Sequence, residues 1–197
     1  AELLDYQKYA FMKTWTTPYV LWCYTRNGAK TTKLALYTMS RTMLIPYSRF
    51  YILAGSGSQS QEAFLKIEDI AKRNIASFTG LTDVFYNETA KSVSNSTGFT
   101  HNPNSFGFDL YNGSKVRTLN SDFDRNRGKR ATNLAIDEGG FAPEELYVTS
   151  MPFIAQNSDF RLGAGGTTDI LPKQMPNQVI VASSASSIDT HYYSLYK

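Results

Sequence analysis

Tyr19-Val20-Leu21-Trp22-Cys23-Tyr24-Thr25-Arg26-Asn27-Gly28-Ala29-Lys30-Thr31-Thr32 is the stretch on which the fold turns. Its first six residues are apolar or aromatic and read as a buried strand. Thr25 to Lys30 then form a tight polar loop, and a helix is expected from Thr31 to about Met43. A strand that enters a helix through small residues suits phosphate. Loop amides and the helix N-terminus present partial positive charge to phosphate oxygens. Lys30 adds a full charge at the β/γ-phosphates, and Thr31 offers a hydroxyl to Mg²⁺. Against the pattern GxxxxGK[ST], Thr25 replaces the first glycine and Ala29 the second. An ordinary strand-to-helix turn is therefore open at this point.

A second site lies at Leu134-Ala135-Ile136-Asp137-Glu138, where an apolar run ends in two carboxylates. Both can turn into a crevice at the carboxyl edge of a sheet. Asp137 can hold Mg²⁺ through its water shell, and Glu138 can polarise an attacking water. Taken alone, the pair also reads as a strand end finishing in solvated acids. Together with the lysine loop it gives the layout that ATP hydrolysis requires. Three weaker features follow. Ser183-Ser184-Ala185, straight after a strand, can sense a γ-phosphate or simply turn the chain. Arg125-Asn126-Arg127-Gly128-Lys129-Arg130 is a solvated basic run or the source of an arginine that reaches a phosphate. Asp5-Tyr6-Gln7 can read adenine, by ring stacking and an amide on the base edge, or can belong to a plain amphipathic helix.

The chain has 197 residues, 42% apolar, 19% charged, with a formal net charge of +3. That composition fits one domain and excludes global disorder. A charge this small permits an anionic partner without demanding one. No apolar run approaches the roughly 18 residues of a membrane span. The single cysteine, Cys23, excludes an internal disulfide, and with only two histidines a Cys/His zinc site is not expected. Further helices are expected over residues 2–14, 59–75 and 144–150, and strands over 50–54, 133–136 and 178–182. Residues 79–118 read as antiparallel, with Asn112-Gly113 as a hairpin turn. Residues 92–103 read as an exposed loop and 155–176 as a long surface insertion. Strands that alternate with helices predict an α/β fold, a mostly parallel sheet with helices on both faces.

In this order the sites resemble the ATPase domain of the large terminase subunit of tailed bacteriophages, over residues 6–196. Tyr6 and Gln7 match that family's adenine-reading motif. Arg26 to Thr32 is similar to its deviant Walker A loop, and residues 136–143 resemble its Walker B stretch. Arg127-Gly128 falls where the family often has an Arg-Gly pair, Ser183-Ser184-Ala185 takes the place of its coupling motif, and His191-Tyr192-Tyr193 resembles the way out to its nuclease domain. The resemblance implies a single P-loop ATPase domain over 1–197, of the additional-strand catalytic-glutamate type, with an antiparallel hairpin extension and without the nuclease domain or its activity. It implies ATP and Mg²⁺ as cofactors. Tyr6, Gln7, Thr25, Asn27, Gly28, Ala29, Lys30, Thr31 and Thr32 would hold the nucleotide, with Thr31 and Asp137 on the metal. Glu138 would be catalytic, with Arg26 or Arg127 as the functional arginine, and Ser183, Ser184 and Ala185 would couple hydrolysis to movement. The implied partners are double-stranded DNA, gripped by its phosphates regardless of sequence, and the portal of a procapsid. A homopentameric ring is implied, in the host cytoplasm and transiently at that portal. Lys91, Lys115 and Arg117 are candidates for the DNA surface, or ordinary solvated cations. The alternatives are a nucleotide-gated docking module without turnover and a helicase-like DNA remodeller.

Overall fold

The structure is a computed structural model. It describes residues 3–25, 28–72, 79–103, 105–119, 128–154, 177–185 and 187–197, and for 79–81 the backbone alone. The expected insertion over 155–176 lies outside them.

Seven strands form one sheet: β1 (Tyr19–Tyr24), β2 (Arg49–Ala54), β3 (Phe99–Asn102), β4 (Ser105–Asp109), β5 (Lys115–Thr118), β6 (Asn133–Asp137) and β7 (Gln178–Ser184). Their order is β1-β7-β6-β2-β5-β4-β3. The first five in that order run parallel, and β4 and β3 extend the sheet as antiparallel strands. The parallel part keeps its carboxyl ends along one edge, where chemistry collects in such sheets. β7 lies between β1 and β6, so the strands that carry the lysine loop and the acidic pair are not neighbours.

Six helices surround the sheet among the described residues: α1 (Asp5–Thr16), α2 (Lys30–Leu44), α3 (Gly57–Lys72), α4 (Thr79–Glu88), α5 (Glu144–Ser150) and α6 (His191–Tyr196). Alternate residues of each strand face opposite sides. Trp22, Phe50, Ile52, Ala135, Ile180 and Ala182 pack beneath α2 and α3 through Leu34, Tyr37, Phe64 and Ile67. Leu53, Leu134, Ile136, Val179 and Val181 form a second core with Leu146 and Tyr147 of α5 and Tyr192 of α6.

Three expectations are corrected. β1 is an edge strand among the described residues, not a buried one: Tyr19 is 68% exposed and Trp22 is its only fully buried side chain. Apolar content here serves the packing of α1 rather than a second sheet neighbour. Residues 79–88 are helical, because Phe85 turns inward to Phe108 at 5.2 Å while Val84 stays exposed. Within the expected loop over 92–103, Phe99 to Asn102 pairs with β4, drawn in by the burial of Phe99 against Phe108. The hairpin forms as the sequence predicts. Gly113 adopts φ 85 in its turn, and Asn112 Nδ2 donates to the Thr42 and Met43 carbonyls at 2.9 and 3.1 Å, capping the end of α2.

Gln178 ties α1 to the sheet from a fully buried position. Its Oε1 accepts from the Tyr37 hydroxyl at 2.6 Å and from Asn133 Nδ2 at 3.3 Å, and its Nε2 donates to the carbonyls of Thr14 and Thr17. Gln178→Leu strands these partners without water. We expect it to lower the unfolding free energy by about 3 kcal/mol in urea titrations; a loss under about 1 kcal/mol would show the network to be dispensable.

Candidate functional site

Lys30 opens α2, and Asp137 ends β6. The intervening β7 places them across a cleft of about 660 Å³ at the carboxyl edge of the sheet. Lys30 Nζ donates to Glu138 Oε1 at 2.5 Å and lies 3.6 Å from Asp137 Oδ1. Thr31 Oγ1 stands 3.5 Å from Asp137 Oδ2. Groups 106 to 108 residues apart in sequence thus share one site. Thr25, Gly28, Ala29, Thr32 and Ser184 line the same cleft.

Two residues that flank it hold left-handed backbone without being glycine: Ala29 at φ 55 and Glu138 at φ 53. Each such conformation costs on the order of 1–3 kcal/mol. The turn after Glu138 is pinned from two sides. Gly140 N–H donates to Ser183 Oγ at 2.9 Å, and the Tyr147 hydroxyl donates to the Gly139 carbonyl at 2.7 Å. A Cβ on Gly139 would lie 2.5 Å from Val181 and 2.6 Å from the Tyr147 oxygen, so only glycine fits.

Burial pushes the Asp137 carboxyl above its ordinary range, although Lys30 and the Glu138 N–H both favour its charged form. Glu138 N–H donates to Asp137 Oδ1 at 3.0 Å. Glu138 Oε2 is buried and has no hydrogen-bond partner among the described residues. Thr31 Oγ1 and Asp137 Oδ2 are hard oxygen donors, of the kind that Mg²⁺ takes together with water and phosphate oxygens. Among the described residues no group of three His, Cys, Asp or Glu side chains could hold a metal unaided.

The remaining sequence candidates are scattered. Ser183 is buried against Gly140, while Ala185 is exposed. Gln7 is buried in α1, its Oε1 accepting the Leu4 N–H at 2.9 Å. Tyr6 lines a separate groove along β1. Arg117 is held by Asp109 at 2.5 Å and by the Phe108 and Val116 carbonyls at 2.8 and 2.7 Å. Exposed Lys115 lies 4.0 Å from the same Asp109, and Lys91 stacks over Tyr86 at 4.2 Å. Arg26, Asn27 and Arg127 lie outside the described residues.

Sequence reasoning missed Gln59, Glu62 and Phe141, which also line the cleft. Gln59 and Glu62 stand one turn apart on α3, where they read as ordinary surface polarity. It missed Lys33 as well, one turn after Lys30 and only 2% exposed. Burial lowers the Lys33 ammonium to about 8.

The sequence matches no family profile and no curated protein. Solved structures do match. The large terminase of bacteriophage HK97 superposes over 100% of this chain and 36% of its own, with TM-score 0.63 and 12% identity. The large terminase ATPase domain of Thermus phage P74-26 covers 99% of this chain and 69% of its own, with TM-score 0.61 and 14% identity. The fold is that of a large terminase ATPase domain. A third structure, the large terminase of another thermophilic bacteriophage, agrees over 100% of this chain and 42% of its own, with TM-score 0.61 and 8% identity. This chain spans about a third of the HK97 protein's length. At these identities the likeness is one of fold.

The raised Asp137 carboxyl has a measurable consequence. A carboxyl that holds its proton more tightly when folded weakens the fold as pH rises above its unfolded value, near 3.8. Asp137→Asn, which cannot ionise, should therefore gain stability relative to the unsubstituted protein from about pH 4 to about pH 7. Thermal melts across that range check it; a constant difference would mean that the Asp137 charge carries no net burial penalty.

Proposed function

We propose that this chain is an ATP-hydrolysing motor domain of the large terminase type, and that it drives double-stranded DNA into a viral procapsid. The observation that carries the reading is the meeting of Lys30, Thr31, Asp137 and Glu138 in one cleft. Lys30 and the amides of the Thr25–Thr32 loop hold the triphosphate. Thr31 and Asp137 hold Mg²⁺, which draws charge from the phosphate oxygens. Glu138 orients and polarises the attacking water. With no phosphate present, its carboxylate satisfies Lys30 at 2.5 Å. A phosphate arriving at Lys30 competes for that ammonium and frees Glu138 for water.

Arg26 or Arg127 stabilises the charge that develops on the transferred phosphoryl group, an effect of about 10³–10⁵ in rate for a well-placed arginine. Ser183 and Ser184 are suited to relay phosphate loss, because Ser183 bonds the turn that carries Glu138 and Ser184 lines the cleft. Tyr6 and Gln7 serve the adenine side. DNA contacts go to phosphates and ignore base sequence. Lys91 and Lys115 are the freer of the three candidate cations for that surface, because Arg117 is committed to Asp109. The working form is a homopentameric ring at the portal, in the host cytoplasm.

Phosphate release with Mg·ATP tests the reading. Glu138→Gln should lower turnover by about 10²-fold or more while ATP still binds. Turnover per chain should climb with protein concentration, and Arg127→Ala should abolish the climb if that arginine serves a neighbour. ATP bound without phosphate release at any concentration would favour the docking module instead.

A further inference from the structure

The groove that Tyr6 lines runs along β1 and has a volume of about 450 Å³, within the size range of small-ligand sites. It meets the phosphate cleft at the end of β1, where Tyr24 lines the groove and Thr25, the next residue, lines the cleft. We propose that the rings of Tyr24 and Tyr6 form the wall on which the nucleoside of the bound nucleotide stacks, and that Lys33 is the positioning residue that holds Tyr24 in that wall. The proposal rests on the nucleotide reading given above and adds two residues to it.

Lys33 is an unusual lysine. Its ammonium sits 3.7 Å from the centre of the Trp22 ring and 4.3 Å from that of Tyr24, and it donates to the Tyr24 hydroxyl. The described contacts give it no carboxylate. Two ring faces and a phenol oxygen therefore meet its charge, an arrangement that holds rings in place because cation–π attraction strengthens on desolvation. Trp22 is already fixed by its own bonds. Its Nε1 donates to Thr14 Oγ1 at 2.9 Å, and its ring stands edge-on to Tyr37 at 6.1 Å. The restraint that Lys33 adds thus falls on Tyr24.

Tyr24 in turn faces Tyr6, with ring centroids 6.4 Å apart and planes tilted by 42°. Tyr6 is 52% exposed, so the pair keeps ring surface open to the groove. Tyr24 also abuts the loop, since a Cβ on Gly28 would lie 3.3 Å from Tyr24 Cβ. Ring-face stacking is the recognition left most available here, because Gln7 already commits its Oε1 to the Leu4 N–H.

The test separates nucleoside from phosphate. A slowly hydrolysed ATP analogue and inorganic tripolyphosphate, each with Mg²⁺, are titrated into the unsubstituted protein, Tyr24→Ala, Tyr24→Phe and Lys33→Met, with thermal melts to verify folding. The unsubstituted protein should bind the analogue more tightly than tripolyphosphate. Tyr24→Ala and Lys33→Met should weaken the analogue about tenfold and leave tripolyphosphate unchanged. Tyr24→Phe, which keeps the ring and loses the phenol bond, should fall between. Parallel weakening of both ligands in a folded variant would assign Lys33 and Tyr24 to the shape of the loop and overturn the wall. Equal binding of both ligands by the unsubstituted protein would remove the wall and leave the phosphate cleft standing. Binding of neither would bring down the wall and the nucleotide reading together.

Discussion

One ammonium and two carboxylates, brought together from 108 residues apart, organise this molecule. Asp137 is buried at the end of an entirely buried strand, and its charge is tolerable only because Lys30 and a backbone N–H face it. The sheet makes the meeting possible. Parallel strands deliver both groups to the same edge, and β7 sets the width of the gap between them. Left-handed backbone at Ala29 and at Glu138 shows that the chain accepts strain on both sides of the cleft.

β7 carries tasks at both ends. Near its carboxyl end, Ser183 bonds the turn after Glu138. At its amino end, Gln178 grips the last turn of α1 and the residue beyond it. The strand therefore connects the acidic turn to the helix that bears Tyr6 and Gln7. The aromatic groove lies between that helix and β1, so three sequence features that look independent share one mechanical support.

The parallel part of the fold was legible in the sequence, because its signals are local. Apolar runs at 19–24, 50–54, 133–136 and 178–182 each became a strand, and the Asn112-Gly113 turn made its hairpin. What failed depended on partners. Nothing in Tyr19 to Tyr24 tells whether a second strand will lie beside it, so an edge strand read as a buried one. Phe99 and Phe85 sit in polar surroundings, and only their shared neighbour Phe108 draws them inward. At the site, Lys30, Thr31, Asp137 and Glu138 were legible from residue type and spacing. Gln59, Glu62 and Lys33 were not, because a polar residue on a helix carries no mark of which neighbour it will face.

The Asn112 cap on α2 has a consequence for how force passes through the protein. The helix is 15 residues long, about 22 Å of stiff rod, with Lys30 at one tip and the hairpin turn fastened to the other. The hairpin is thus a handle: a load applied to its loop travels along the rod and arrives at the lysine.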